Sequence, residues 1–219
     1  MTWWDKVKNS AQKTKLRADI ALAERESNGR KKRFGVDMYD VLTNDKQKLL
    51  GVAAGTLFKG SQEELKAAFE KARDDIAGMQ ARKDELQKKR DVLEVKGAHT
   101  MPDTTIGEKA NKAGKAVADA ATDQKLRAQM ALIDREMKIR KEEFGLEIFG
   151  YVEVSEEKKK GLKGAVTSAI TNLSDHEKDI QSVIDTAKKD VDTIEKKIES
   201  LNRQMNILDS ELEPLASSS

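Results

Sequence analysis

The stretch RKKRFGVDMYDVL, residues 30–42, returns as RKEEFGLEIFGYV at residues 140–152, which is 110 positions later. Immediately upstream the similarity is closer, because residues 15–35 and 125–145 are identical at 12 of 21 positions. The chain is 219 residues long, so the offset is about half its length. An internal repeat on this scale indicates one structural unit that is present twice. We interpret it as a tandem duplication.

The composition predicts that this unit is helical. Charged residues make up 37% of the chain and aromatic residues only 4%, which is typical of long helices and coiled coils. Only two prolines occur, Pro102 and Pro214, so no proline interrupts residues 1–101 or 103–213, as uninterrupted helices require. There is no cysteine, which excludes a disulfide framework and thiolate chemistry.

Apolar residues spaced alternately by four and three predict helices with one narrow apolar seam. In the last helix the seam comprises Ile180, Ile184, Ala187, Val191, Ile194, Ile198, Leu201, Met205, Leu208 and Leu212. The same slots shifted by 115 run from Leu65 to Gly97 and include two cations, Lys83 and Arg90. The helices that contain the FG dipeptides have seams from Leu16 to Val41 and from Leu126 to Tyr151. The offset between the two copies is 110 for the first repeated helix and 115 for the second. A difference in length of five residues therefore lies between the repeated helices, within 43–64 or 153–179.

These patterns predict an all-α fold, an elongated antiparallel helical bundle or coiled coil built from a duplicated long-helix hairpin. The first repeat is expected at 1–98, a linker at 99–105, the second repeat at 106–214 and a tail at 215–219. The second long helix of each half is expected to fold back on the first, through short helical connectors at 49–58 and 161–170. Capping boxes that begin at Ser61, Thr105 and Ser174 predict three helix starts.

Both copies contain a Phe-Gly dipeptide within a helical pattern, at Phe34-Gly35 and Phe144-Gly145. Glycine in a helix interior is less favourable than alanine by about 1 kcal/mol, so its repetition indicates a use. One interpretation is close packing where two helices cross. The other is a docking point for a partner, present twice.

Motifs for catalysis are absent from the sequence. It contains two histidines and no HExxH, GxxxxGK[ST], GxGxxG or GxSxG pattern. We therefore expect neither an enzyme, nor a metal site, nor a cofactor. Nucleic acid is an unfavourable partner, because the net charge is only +2 and acidic residues are interleaved with the basic ones.

The N-terminus differs from the repeated scaffold. Both tryptophans of the chain, Trp3 and Trp4, have Ala113 and Gly114 as their counterparts in the second copy. Ten basic and four acidic residues occupy positions 1–33. Tryptophan and lysine suit a helix that lies at the surface of an anionic bilayer. The predicted membrane-binding residues are Trp3, Trp4, Lys6, Val7, Lys8, Lys13, Lys15, Arg30, Lys31, Lys32 and Arg33. Alternatively, the tryptophans cap the end of a bundle, and Arg30–Arg33 form a solvated face.

An amphipathic N-terminal segment followed by long antiparallel helices resembles the layout of N-BAR proteins and of membrane remodellers of the phage-shock and ESCRT-III type. This resemblance implies a cytoplasmic protein, peripheral at membranes, that binds or curves anionic lipid bilayers as a homodimer or larger homo-oligomer. Protein partners are compatible with it. The alternative hypothesis is a soluble coiled-coil structural or interaction module without lipid contact.

Overall fold

The computed structural model describes residues 3–44, 62–98, 106–160 and 175–210, and all of them lie in four helices. The helices are α1 (Trp3–Asn44), α2 (Gln62–Ala98), α3 (Ile106–Lys160) and α4 (Asp175–Ser210). The described part of the chain contains no strand, which confirms the all-α prediction. The predicted connectors, 49–58 and 161–170, lie outside the described residues.

The helix starts follow from local sequence. Helices α2, α3 and α4 begin directly after Ser61, Thr105 and Ser174, the first residues of the three predicted capping boxes. A hydroxyl at this position accepts a hydrogen bond from a free N–H of the first turn. The capping hydroxyls themselves lie outside the described residues. None of the four described helices contains a proline, so the backbone hydrogen bonding of each continues over 36 to 55 residues.

The apolar seams read from the sequence face the interior. Every described seam position is buried or half-buried, from Leu16 to Val41 in α1 and from Leu65 to Leu93 in α2. The same holds from Leu126 to Tyr151 in α3 and from Ile180 to Leu208 in α4. Removal of these side chains from water supplies the main stabilisation of the helix pairs, at about 25 cal/mol per Å² of apolar surface.

The pairing of the helices differs from the expected hairpins. Helix α1 packs along α4, with Lys13 paired to Asp209 and Arg30 to Asp190, so the two helices are antiparallel. Helix α3 lies against α2, where Arg90 contacts Asp123 and Lys83 contacts Asp134, again antiparallel. Each pair therefore joins a helix of the first half to one of the second. The prediction that each half folds back on itself is wrong.

Charge gives a physical reason for this pairing. Arg90 occupies a seam position of α2 and contacts Asp123 of α3, with a distance of 2.7 Å between Nε and Oδ1. The α1 residue equivalent to Asp123 is Lys13. If α2 packed on α1 in the same register, Arg90 would face a lysine in a partly dehydrated seam, where like charges repel strongly. Against α4, Lys13 meets Asp209 instead.

The chain divides into two compact units, the first formed by residues 1–66 and 142–219 and the second by residues 67–141. The first unit contains the α1–α4 pair and the end of α3 from Glu142 onward. The second contains most of α2 and the preceding part of α3. These units combine segments of both sequence halves, so the halves 1–98 and 106–214 describe the repeat in the sequence rather than compact bodies.

Candidate functional site

The start of α1 carries apolar side chains that face solvent. The side chain of Trp4 is 71% exposed and that of Val7 is 42% exposed, while the buried seam of α1 begins farther on, at Leu16. Lys8 and Lys15 are exposed, whereas Lys13 is half-buried and paired with Asp209. The side chains of Trp3 and Lys6 lie outside the described residues. This segment is thus an exposed aromatic and aliphatic surface beside lysines.

The basic run at the middle of α1 is compensated by carboxylates. Arg30 contacts Asp190 at 3.0 Å and Lys31 contacts Glu195 at 3.5 Å, both on α4. The two remaining cations of the run have partners on α3 and on α1 itself, in the pairs Lys32–Glu142 (3.7 Å) and Arg33–Asp37 (3.9 Å). Exposed pairs of this kind contribute about 0–1 kcal/mol each. The run therefore connects helices, a role that the sequence did not reveal because most of its partners lie more than 100 residues away.

The two Phe-Gly dipeptides meet where α1 crosses α3. A Cβ atom added to Gly145 would lie 2.5 Å from the Cα and N of Gly35 and from the carbonyl oxygen of Lys31. Real Cβ atoms do not approach backbone this closely, so only glycine at 145 permits the crossing. Gly35 is buried in the same contact. The geometry favours the packing interpretation of the dipeptides over the docking interpretation.

Four aromatic rings surround this crossing as two exchanged pairs, in each of which a ring from one copy of the repeat contacts a ring from the other. Phe34 of α1 contacts Phe149 of α3 edge-to-face at 5.5 Å between centroids. Phe144 of α3 contacts Tyr39 of α1 in the same way at 6.1 Å. Because 34 and 39 correspond to 144 and 149 at the offset of 110, each contact is the repeat counterpart of the other. Phe34 and Phe144 are 2% and 0% exposed, so both rings lie in the interior.

One ion pair also occurs twice. Arg30 contacts Asp190 at 3.0 Å in the first unit, and Arg140 contacts Asp75 at 2.7 Å in the second. The arginines are related by the offset of 110 and the aspartates by the offset of 115. Both offsets read from the sequence thus lead to the same contact. This pair was not predicted from the sequence, although the repeated arginine within a seam of apolar residues was a detectable signal.

The charges of the second unit stabilise the pairing of α2 and α3. Asp123 accepts a hydrogen bond from Nε of Arg90, and Arg127 contacts its second oxygen at 2.7 Å. The hydrogen bond from Arg90 is the main cause that holds the pKa of Asp123 below its ordinary range, against a smaller opposing effect of burial. The same hydrogen bond raises the pKa of Arg90. This cluster is consistent with a structural role, since each charge has an opposite partner.

A groove of about 330 Å³ lies between α1 and α4 beside Phe34. Its polar lining includes Arg30, Arg33, Asp37 and Asp190, so two cations are matched by two anions. Such a balanced lining gives no preference for a charged ligand. Within the described residues no group of three metal-ligating side chains occurs, and no described helix is long and apolar enough to cross a membrane.

The sequence was compared with models of protein families, with curated proteins and with solved structures, and nothing matches in any of the three.

Proposed function

We propose that this chain is a peripheral membrane-binding helical scaffold that contacts anionic bilayers through the start of α1. One observation carries the proposal: Trp4 and Val7 are exposed at the start of a helix whose seam is buried farther along. Tryptophan is favoured at the interface between lipid headgroups and acyl chains, and nearby lysines are attracted to anionic headgroups. Lys8 and Lys15 supply such charges on the same stretch.

The helical body fits the role of a scaffold that presents this segment. The exchanged ring pairs and the twice-present arginine–aspartate pair support an origin by tandem duplication of a helical hairpin. We infer an elongated, BAR-like coiled-coil assembly that is cytoplasmic, peripheral at membranes, without enzymatic activity, and formed from a homodimer or higher homo-oligomer. Trp3 and Lys6 belong to the proposed contact by their position in the sequence.

The second candidate is a soluble coiled-coil interaction module. The observation that favours it is the compensation of Arg30–Arg33, since each of these four cations has a carboxylate partner. A lipid surface would have to compete with those carboxylates for the cations. The membrane contact that we propose therefore rests on the first 15 residues, and Arg30–Arg33 contribute only where their exposed pairs rearrange.

The test is co-sedimentation of the full chain with vesicles of phosphatidylserine and phosphatidylcholine. The repeat supplies a matched control, because Val7 has an exposed counterpart of the same type, Val117, which has no neighbouring tryptophan. Val7→Glu should weaken binding, and Val117→Glu should leave it unchanged. Replacement of Trp3 and Trp4 by glutamate should abolish binding while the melting temperature stays nearly constant.

Salt provides a second arm of the test. Binding should decline as ionic strength rises, because exposed charges are screened over about 10 Å at 0.1 M salt. Absence of binding of the wild-type chain to anionic vesicles at low salt would refute the membrane proposal. Early melting of the double tryptophan variant would instead assign these side chains to the packed end of a bundle.

A further inference from the structure

The outward face of α1 is repeated on α3 more faithfully than the packed face. At about 100° per residue, positions 7, 8, 11, 14, 15, 18, 21, 22, 25 and 26 of α1 lie within an arc of about 140°. All ten are exposed, and so are their ten counterparts on α3, at positions 117 to 136. Eight of these ten positions are identical between the copies, against two of the ten other positions from 7 to 26.

Folding alone would preserve the buried positions better than the exposed ones, which is the reverse of what the two copies show. The buried seam has diverged, since Ile20, Ala23 and Ser27 correspond to Met130, Ile133 and Met137. Substitutions at exposed sites change stability by less than about 0.5 kcal/mol, so stability does not hold an outward residue fixed. The repeated outer face comprises Val7, Ala11, Lys15, Ala18, Ala21, Leu22, Arg25 and Glu26, and Val117, Ala121, Lys125, Ala128, Ala131, Leu132, Arg135 and Glu136. Its identity in both copies indicates one requirement imposed on both.

The chemistry of this face suits another helix. Val7, Ala11, Ala18 and Leu22 form a narrow stripe, which is the geometry of a helix–helix seam, whereas a bilayer requires only a broad apolar face. Alanine at two of these positions allows close approach of a second backbone. A lipid surface has no need for the same alanine, leucine and glutamate at each position, because it recognises charge and apolar area rather than shape.

Two cations determine the charge of the partner. Lys15 and Arg25 interrupt the stripe about 15 Å apart along the helix axis, and their counterparts are Lys125 and Arg135. None of the four forms an ion pair with any other described residue. A helix that covers the stripe removes water from these cations, so it must supply carboxylates opposite them. A second copy of the same face packed in parallel would place Lys15 against Lys15 and Arg25 against Arg25, which disfavours self-association in that direction.

We propose that the repeated outer face is a docking site, present once on α1 and once on α3, for an acidic amphipathic helix of another protein. The bound helix presents apolar residues to the Ala-Leu stripe and two carboxylates, about 15 Å apart, to the lysine and the arginine. The chain thus carries two sites of equal specificity. The α3 site is independent of the membrane proposal, because it lacks the tryptophans. On α1, Val7 and Lys15 belong to both proposed contacts, so a lipid surface and a bound helix would compete for them.

The experiment titrates the full chain with a fluorescent, helix-stabilised peptide that has a Leu-Ala stripe and glutamates ten residues apart. A control peptide replaces both glutamates with lysine. The acidic peptide should saturate at two molecules per chain, and the control should not bind. K15E/R25E and K125E/R135E should each remove one site, which amounts to a weakening of about tenfold or more at that site. K89E/K196E, at exposed lysines elsewhere, should leave both sites intact.

Three outcomes overturn the proposal. The first is an acidic peptide that does not bind, or whose binding is unchanged in the variant with all four charges reversed. The second is that K125E/R135E loses vesicle binding while the acidic peptide does not bind the wild-type chain. This result would assign the face to lipid. The third is a wild-type dimer that dissociates when all four charges are reversed, which assigns it to a second copy of the chain. Circular dichroism of each variant verifies that the helices remain folded.

Discussion

Gly145→Ala tests the helix crossing most directly. The new methyl group would meet the backbone of α1 at 2.5 Å, whereas carbon atoms in contact prefer about 3.5–4.0 Å. Its neighbours are backbone atoms of Gly35 and Lys31, which cannot rotate away as a side chain would. The helices must therefore separate by about 1 Å. A gap of that size forfeits up to half of the dispersion attraction between the atoms that it separates.

The expected magnitude follows from two opposing effects. Overpacking a tight contact costs roughly 1–3 kcal/mol. Replacement of a helical glycine by alanine stabilises the helix by about 1 kcal/mol. We expect a net loss of up to about 2 kcal/mol in the free energy of unfolding. For a chain of this size, a loss of about 2 kcal/mol lowers the melting temperature by about 4–8 °C.

A control on the same helix separates the two effects. A Cβ atom at Gly150 would have nothing within 4 Å, and the same is true at Gly29 and Gly78. Gly150→Ala should therefore stabilise the chain by about 0.5–1 kcal/mol through helix propensity and the restricted unfolded chain. Thermal unfolding followed by circular dichroism measures both variants. If Gly145→Ala stabilises as much as Gly150→Ala, the close crossing does not exist.

Phe34→Ala and Phe144→Ala should each lower the free energy of unfolding by about 3–5 kcal/mol in urea titrations, because both rings are fully buried. A loss below about 1 kcal/mol at both would instead assign the rings to a docking surface. Asp75→Asn should cost roughly 1–3 kcal/mol and Asp190→Asn less than about 1 kcal/mol, since the arginine that contacts Asp75 is only 8% exposed whereas that of Asp190 is 42% exposed. Equal losses would contradict this reasoning. The pKa of Asp123 is lowered in the folded chain, so its contribution to stability is present above about pH 4 and is lost as the pH falls through the folded pKa. Asp123→Asn should therefore reduce the difference between the urea midpoints at pH 7 and pH 3, and an unchanged difference would show that this pair does not contribute.

The candidate membrane segment could be identified from the sequence because its signal is local. Two adjacent tryptophans without counterparts in the second copy are visible without any structure. The basic run Arg30–Arg33 was read as a free charge because its partners, Asp190 and Glu195 among them, are far away in the sequence. A sequence pattern reports the charge of a side chain and does not report the opposite charge that folding brings to it.

The sequence by itself determined the helices and the residues that they bury. Proline positions, capping residues and the alternation of four and three depend on backbone hydrogen bonding and on 3.6 residues per turn, which act within one helix. The pairing of the helices was decided only by the tertiary structure. All four seams are mainly apolar, so each helix could be covered by more than one of the others. The choice depends on contacts between distant residues, such as Arg90 with Asp123 and the backbone of Gly145 with that of Gly35, because only these distinguish one apolar seam from another.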